Sequence, residues 1–383
     1  MQPVFSNDAI VLGILFVILA FVFQTSYSNN PKWRTFYRYI PSLLLCYFIP
    51  SVFNSLGLIS GDVSQLYYVS SRYLLPACLV LLTLSIDLKA IMNLGPKAII
   101  MFLTGTVGIL LGGPLAFLIM AFIAPEVVGM DAASIAAVQA NAGNGPEAIW
   151  RGMTTVAGSW IGGGANQTAM KEVFQVDNGL FSTMVAVDIL VASVWLAILL
   201  YGVGIRDRID KWLGGDVSSI EEVRRKIEDY SASIAKIPTL TDMTTVAAVG
   251  FGITAISHWG AEVIVPFMQS MQTEYPIIQR MSLTSSFFWL IVIATTGGLL
   301  LSFTKARELE GVGASRMGSL FLYVLVASIG MKMDITAIIE RPGLFALGGI
   351  WMTFHAGLLI LVAKLIKAPF FFMAVGSQAN VGG

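Results

Sequence analysis

The sequence predicts an all-α polytopic membrane protein that contains two repeats. Hydrophobic residues make up 56% of the chain and charged residues 12%, whereas about a quarter of the residues of a soluble domain are charged. Several continuous apolar runs reach the roughly 20 residues that cross a bilayer core. Glycine-rich phrases interrupt two of these runs, and paired interruptions of this kind are typical of the broken helices of secondary transporters.

Apolar segments fill most of the chain, and one long polar segment at 206–242 divides them into two groups. Ser219 and Glu222 in this segment fit a capping box, which predicts an amphipathic helix at the membrane surface. We predict spans, with bounds good to a few residues, at 9–25, 39–59, 73–92, 97–124, 150–175 (broken), 178–203, 243–268, 284–304, 315–334, 343–367 and 369–383 (incomplete).

The two groups of spans share motifs in the same order, which predicts an internal duplication. Leu84–Ile91 ends a span in the first group, and Met331–Ile338 ends one in the second. A proline, a long apolar span and a Gly-Ser phrase follow in both groups, although residues 132–150 form an insertion in the first. We therefore divide the chain into a first repeat at 1–204, a polar connector at 205–242 and a second repeat at 243–383.

The two Gly-Ser phrases, Gly158–Thr168 and Gly376–Gly383, are the candidate substrate and ion site. A broken membrane helix exposes backbone N–H and C=O groups that hydrocarbon leaves unsatisfied, so these groups face protein or a wet cavity. Glycines allow close backbone approach, and neutral polar side chains add donors and acceptors. The expected lining consists of Ser159, Gly162, Gly163, Gly164, Asn166, Gln167 and Thr168 in the first repeat and Ser377, Gln378 and Asn380 in the second. The alternative is that the glycines serve close helix packing.

Asp188 is the candidate coupling residue because a lone acid near the middle of a span is costly and marks a functional site by default. We expect it to bind Na⁺ or to carry a proton, and Na⁺ is the one metal ion assigned to it. His355 is expected to be a hydrogen-bonded core histidine. With two histidines and two cysteines, a Cys/His metal site is not expected, and Cys46 and Cys78 are predicted to be buried thiols.

The phrases Tyr73–Pro76, Leu84–Ile91, Gly158–Asn166, Ala186–Asp188 and Gly376–Gly383 resemble an integral-membrane family, domain of unknown function 819 (DUF819). The resemblance implies kinship with cation/proton antiporters and bile-acid, arsenite and riboflavin transporters. It implies inverted repeats, a core domain with two crossing broken helices, and a scaffold domain that often forms a homodimer. The chain departs from this pattern in its insertion and in lacking a helix after the second break.

The predicted function is secondary active transport by alternating access, in which Na⁺ or H⁺ is coupled to a small organic anion or zwitterion. A cation/proton antiporter without an organic solute is the nearest alternative, and a channel is an alternative of another class. We expect no enzyme activity, because the sequence has no nucleotide-binding, zinc or nucleophile–base motif. The formal net charge of zero gives no reason to expect a nucleic acid partner. The expected partners are the bilayer, the solute and a second subunit, and the expected location is a bacterial inner membrane.

Two questions of topology depend on the repeats. Basic residues after the first span, in the connector and near residue 305 all favour the cytoplasm, but counting the predicted spans does not satisfy all three, so the sidedness stays open. One element is therefore miscounted, with 132–150 and 243–271 as the suspects. Because nothing follows the second break, we expect the natural chain to continue for roughly 30–45 residues after Gly383.

Overall fold

The computed structural model describes residues 3–86, 95–130, 148–214, 237–275, 278, 283–333 and 340–381, and within them the chain is helical without strands. Six of the described helices are long and apolar enough to cross a membrane, and the number of spans rises to as many as eight if each of two bent helix pairs counts as one. The chain is therefore a multi-pass membrane protein. Most of the insertion, the capping box and the two Asp-containing motif ends (Asp87 and Asp334) lie outside the described residues.

The observed helices follow the predicted spans closely, with one shift. The span predicted at 73–92 begins earlier, at Leu66, and ends at Leu84. In chain order the helices are α1 (Asp8–Ser26), α2 (Pro31–Tyr39), α3 (Ser42–Ser55), α4 (Leu66–Leu84), α5 (Pro96–Ile123), α6 (Ile149–Val173), α7 (Asn178–Gly204), α8 (Arg206–Leu213), α9 (Leu240–Met271), α10 (Ser286–Ser302), α11 (Ala314–Gly330), α12 (Gly343–Ile366) and α13 (Phe370–Val381).

The chain forms two compact units, each built from both halves of the sequence. Unit 1 comprises Met1–Ile86 and Ile234–Thr336, and unit 2 comprises Asp87–Ser233 and Ala337–Gly383. The sequence division at 204 and 242 describes repeats rather than compact units, and it stays a prediction.

Unit 1 is organised around α4, which packs against α9, α10 and α11. A β-carbon at Gly298 of α10 would lie 2.7 Å from the Val80 carbonyl oxygen, so glycine lets α10 approach the α4 backbone closely. Helix α4 contains a π-helical turn at Ser70–Leu74, just before Pro76. Proline lacks the N–H that would bond the Arg72 carbonyl in a regular helix. The His258 Nε2 atom lies 2.9 Å from that carbonyl oxygen and takes the place of the missing donor.

Unit 2 is organised around the antiparallel pair α5 and α12, which α13 and α7 flank. Two bonds fix the direction: Trp351 Nε1 donates to the Ile109 carbonyl at 2.8 Å, and His355 Nδ1 lies 3.0 Å from the Gly105 carbonyl oxygen. The residue that accepts the bond moves towards the start of α5 as the donor moves towards the end of α12, so the two helices run in opposite directions. Glycines on α5 permit this approach, since a β-carbon at Gly112 would lie 2.8 Å from Trp351 Cδ1.

Helix α6 corrects the prediction of a broken span at 150–175, because it folds back on itself as a re-entrant hairpin. Arg151 Nη1 donates to the Phe174 carbonyl at 2.5 Å, whereas a straight helix would separate the two residues by roughly 35 Å. A β-carbon at Gly158 would lie 2.7 Å from Met170 Cγ, so the two arms pack side by side. The tip is at Gly163, with φ 79° and ψ −179°. The count of spans from the sequence treated this hairpin as a helix that crosses the membrane. Neither of the two regions suspected of a miscount, 132–150 and 243–271, contains it.

Candidate functional site

The tip of the α6 hairpin combines a glycine in an unusual backbone conformation with short polar side chains that bond to nearby carbonyl groups. Gly163 adopts a positive φ that L side chains rarely tolerate. Asn166 Nδ2 donates to the Gly162 carbonyl at 2.7 Å, and Thr168 Oγ1 donates to the Gly164 carbonyl at 3.1 Å. The Asn166 side chain therefore satisfies the carbonyl directly before the interruption, and Thr168 adds a bond at the start of the second arm.

The Asp188 carboxylate of α7 joins the two arms of the hairpin. Ser159 Oγ and Trp160 Nε1, both before the tip, donate to its Oδ2 and Oδ1 atoms, each at 2.6 Å. Gln167 Nε2, after the tip, donates to Oδ2 at 2.9 Å. Asp188 is buried, and all three of these hydrogen-bond partners are neutral. We call Asp188, Ser159, Trp160 and Gln167 the carboxylate cluster.

The carboxylate cluster acts as a clasp between the two arms of the hairpin, and the strength of its hydrogen bonds depends on the charge of Asp188. An ionised carboxylate has about four acceptor positions, and three are filled here, which leaves one on Oδ1. Charge-assisted bonds are about twice as strong as neutral ones, so a proton on that oxygen weakens the grip on both arms together. A bound Na⁺ would need oxygen ligands, whereas Trp160 presents a donor only and Gln167 presents its NH₂ group.

A second buried network in unit 2 surrounds His355 on α12. The His355 Nε2 atom lies 2.8 Å from Ser377 Oγ of α13, and Trp195 Nε1 of α7 donates to the same oxygen at 2.7 Å. Since Gly105 O only accepts, the ring carries its hydrogen on Nδ1, and Ser377 donates its hydroxyl hydrogen to Nε2. Each hydrogen is used once, which fits a neutral histidine. We call His355, Ser377 and Trp195 the histidine cluster.

Helices α7 and α12 contact both clusters. Asp188 and Trp195 are seven residues apart on α7, about two helical turns. Trp351 and His355 are one turn apart on α12, and Trp351 stacks edge-on with Trp160 at a centroid distance of 5.0 Å. Helices α7 and α12 therefore hold the α6 hairpin at one level and α13 at the next.

Comparison with known proteins assigns the chain to a family. The family model described as "Protein of unknown function (DUF819)" matches residues 13–383, which is most of the chain. The chain belongs to the DUF819 family. It is also 23% identical over 344 residues to "Uncharacterized membrane protein YjcL" of Bacillus subtilis (strain 168), covering 87% of this chain and 76% of the relative. No solved structure matches the chain.

The structure of this DUF819 chain brings together part of the predicted site. Ser159, Gln167 and Asp188 form the carboxylate cluster with Trp160, while Gly162, Gly163, Gly164, Asn166 and Thr168 form the hairpin tip. Ser377 belongs to the histidine cluster. Asn380 Oδ1 accepts from Thr106 Oγ1 at 2.8 Å and thereby ties α13 to α5. Gln378 Nε2 is buried, with no hydrogen-bond partner in the described part of the chain.

The second break differs from its prediction over the part that the structure describes. Helix α13 is regular from Phe370 to Val381, so the interruption predicted within the phrase Gly376–Gly383 is wrong up to Val381. Asn380 Nδ2 adds a bond to the Gly376 carbonyl of the same helix at 2.8 Å. Gly382 and Gly383 lie outside the described residues.

Sequence reasoning missed the tryptophans and understated His355. Trp160 lies inside the first Gly-Ser phrase, and its position next to Ser159 was a usable signal because an indole N–H needs a partner when buried. Trp195 carried no such signal, since its partner Ser377 is 182 residues away along the chain. His355 is the hydrogen-bonded core histidine that was expected, but its link to a predicted site residue required the fold.

Proposed function

We propose that this DUF819 protein is a secondary active transporter that works by alternating access and couples Na⁺ or H⁺ to the movement of a small solute. The observation that carries the proposal is the buried Asp188 carboxylate, which binds both arms of an interrupted re-entrant helix. A buried carboxylate inside a membrane protein is costly unless it is well bonded. A change in the charge of Asp188 therefore changes the strength of the bonds that hold the two arms of the α6 hairpin.

The carboxylate cluster supports ion-controlled opening of the hairpin. With Asp188 charged, its three bonds hold Ser159 and Trp160 on one arm and Gln167 on the other. Binding of H⁺ at Oδ1 neutralises the charge without moving any partner, whereas Na⁺ requires Gln167 to turn its amide so that Oε1 faces the ion. Either ion weakens the clasp, and the hairpin tip then moves away from α7.

The repeat architecture supports transport as well. Helices α5 and α12 follow equivalent motifs in the two halves of the sequence and pack antiparallel, as an inverted repeat requires. The serines of the two Gly-Ser phrases, Ser159 and Ser377, each bond to a buried titratable side chain. On this proposal unit 2 is the transport core, in which the α6 hairpin is interrupted at its tip, and unit 1 is a scaffold through which two subunits associate in the cell membrane.

The solute proposed is a small organic anion or zwitterion, bound near the hairpin tip. The tip offers backbone N–H groups at the start of the second arm, and these favour a carboxylate. Neutral Asn166 and Thr168 add donors and acceptors. A cation/proton antiporter without an organic solute is the second candidate, and the single acid of the carboxylate cluster favours it.

The proposal is tested by ion flux into proteoliposomes that hold the purified protein and a pH-sensitive dye. A Na⁺ or solute gradient is expected to drive proton or Na⁺ movement that saturates, and Asp188→Asn is expected to abolish it. Thr155→Val is the matched control because Thr155 is buried on the same arm and, among the described residues, its hydroxyl bonds only to the Gly152 carbonyl. Flux that survives in Asp188→Asn, or unitary currents in a planar bilayer, would refute coupled transport through this cluster.

The solute itself can be sought by thermal shift. A ligand that binds only the folded protein raises the apparent stability by RT ln(1 + [L]/Kd). Small organic acids and amino acids are added with and without Na⁺, at two pH values. Stabilisation by a solute that depends on the ion supports symport, and stabilisation by the ion alone supports the antiporter.

A further inference from the structure

One end of unit 2 gathers four helix ends, and specific bonds hold them together. Lys97 Nζ, at the start of α5, donates to the Lys367 carbonyl at the end of α12 at 2.9 Å. The Lys364 ammonium donates to the Trp212 carbonyl of α8 and lies 4.9 Å from the centre of the Trp212 ring. Asp210 Oδ1 accepts from the backbone N–H of Phe370, the first residue of α13, at 2.6 Å.

Among the described residues, this end carries a strong excess of positive charge. It has two carboxylates, Asp207 and Asp210, and six cationic side chains, which are Lys97, Arg206, Arg208, Lys211, Lys364 and Lys367. We call these six residues and Trp212 the basic end. Asp210 is bonded to α13, and Asp207 lies 3.6 Å from Arg206. Neither carboxylate neutralises Arg208, Lys211 or Lys367, whose side chains are exposed.

The opposite end of unit 2 has no such excess among the described residues. The hairpin base lies there, because a β-carbon at Gly152 would lie 2.9 Å from Leu180 Cγ near the start of α7. The end of α5 also meets the start of α12 there, through Val127 and Gly343. Three cations face four carboxylates at this end: Arg151, Lys171 and Arg341 against Glu126, Glu172, Asp177 and Glu340.

Aromatic and apolar side chains frame the basic end in the way that a membrane interface requires. Trp212 is 56% exposed and Tyr201, on the last turns of α7, is 73% exposed. Tryptophan and tyrosine are enriched at the level of lipid headgroups. Leu365 is also exposed, between Lys364 and Lys367. Cations therefore alternate with side chains that suit the acyl chains of a lipid. A soluble polyanion would use only the cations.

We propose that the basic end binds the headgroups of anionic phospholipids at the cytoplasmic surface. Charge complementarity selects an anionic headgroup, and the exposed aromatic and leucine side chains select a lipid over a soluble polyanion. Basic residues near span ends favour the cytoplasm, so the hairpin base opens on the other side, with its tip directed into the membrane. This inference does not depend on transport, and it answers the question of sidedness that the sequence leaves open.

The lipid part is tested by titrating the purified, delipidated protein with phosphatidylglycerol and with phosphatidylcholine of equal chain length, and counting bound lipids by native mass spectrometry. We expect preferential binding of phosphatidylglycerol. The triple variant Arg208→Gln, Lys211→Gln, Lys367→Gln is expected to lower that affinity by about fivefold per charge removed. The matched control, Lys32→Gln, Arg34→Gln, Lys305→Gln, removes the same charge from exposed positions of unit 1.

The result that overturns the lipid site is equal affinity for the two lipids, or an equal loss in both triple variants. Binding of heparin without binding of phosphatidylglycerol also overturns it, and would point to a soluble polyanion. Thermal unfolding checks that each variant is folded. Because the mutated side chains are exposed, we expect little change in the melting temperature.

The sidedness is tested with single cysteines and a membrane-impermeant maleimide in intact cells. The native thiols of Cys46 and Cys78 are fully buried, so they give a low background. Lys211→Cys at the basic end is expected to react only after lysis, and Glu126→Cys at the opposite end is expected to react in intact cells. The reverse pattern overturns the cytoplasmic assignment.

Discussion

Alanine substitutions at two adjacent glycines isolate the role of the hairpin tip, because the two residues differ in backbone conformation and not in surroundings. A β-carbon at Gly163 or at Gly164 would meet no atom within 4 Å. Only Gly163 has a positive φ, at 79° with ψ −179°, a region that is essentially restricted to glycine. Forcing alanine into it costs about 1–3 kcal/mol. Gly164 is helical, and alanine there gains up to about 1 kcal/mol of helix propensity.

The two variants are therefore expected to change stability in opposite directions, with a separation of about 1–4 kcal/mol. Thermal unfolding of the purified protein in one detergent measures the sign of each change. Hydrogen exchange of the backbone amides near Ser159 and Gln167 measures whether the loss is local to the tip. We expect faster exchange in Gly163→Ala and unchanged exchange in Gly164→Ala. Equal effects of the two substitutions would refute the hairpin turn at Gly163.

The remaining predictions concern the contacts that hold the site. Ser159→Ala removes a bond to a carboxylate and is expected to lower stability by about 1.5–3 kcal/mol, more than Thr155→Val does, as measured by thermal unfolding; equal losses would contradict the clasp. Gly376→Ala places a β-carbon 2.9 Å from the backbone of Met101 and Phe102, whereas Gly357→Ala meets nothing within 4 Å; the first is expected to lower the melting temperature and the second to leave it unchanged. Trp195→Phe removes the N–H that Ser377 accepts while keeping an aromatic ring, so its loss of stability is expected to shrink in a Ser377→Ala background; additive losses in the double-mutant cycle would argue against the histidine cluster.

Much of this fold is predictable from local sequence because spans depend on apolar length alone. Helices α1, α5, α7 and α12 begin and end within about three residues of their predicted bounds, an error that is usual for element ends. The Gly162–Gly164 interruption is predictable too, since three successive glycines disfavour a regular helix. The same local pattern fits a kinked span and a hairpin equally well. Contacts such as Arg151 with Phe174 decide between them, and they depend on packing that the sequence pattern does not contain.

The candidate site divides along the same line. Asp188, Ser159 and Gln167 stand out in sequence as polar residues in apolar surroundings, and the fold joins them. The histidine cluster joins α7, α12 and α13 across 182 residues of sequence between Trp195 and Ser377, and no periodicity or spacing connects them. The Gly-Ser phrase at Gly376–Gly383 predicted an interruption, whereas the backbone at Ser377–Val381 is a regular helix. Helix α13 packs against α5, and the local sequence does not show this packing.

The most direct test of the central claim is infrared difference spectroscopy of the purified protein, which detects protonation of Asp188 or cation binding without a known solute. Spectra are recorded between two pH values, and between Na⁺-free and Na⁺-containing buffer, for the wild type and for Asp188→Asn. We predict that the wild type gains a protonated-carboxyl band on acidification, or shifts its carboxylate bands on addition of Na⁺, and that this change is absent from Asp188→Asn and retained in Thr155→Val. Identical difference spectra for the wild type and Asp188→Asn would contradict the claim that Asp188 carries the coupling ion.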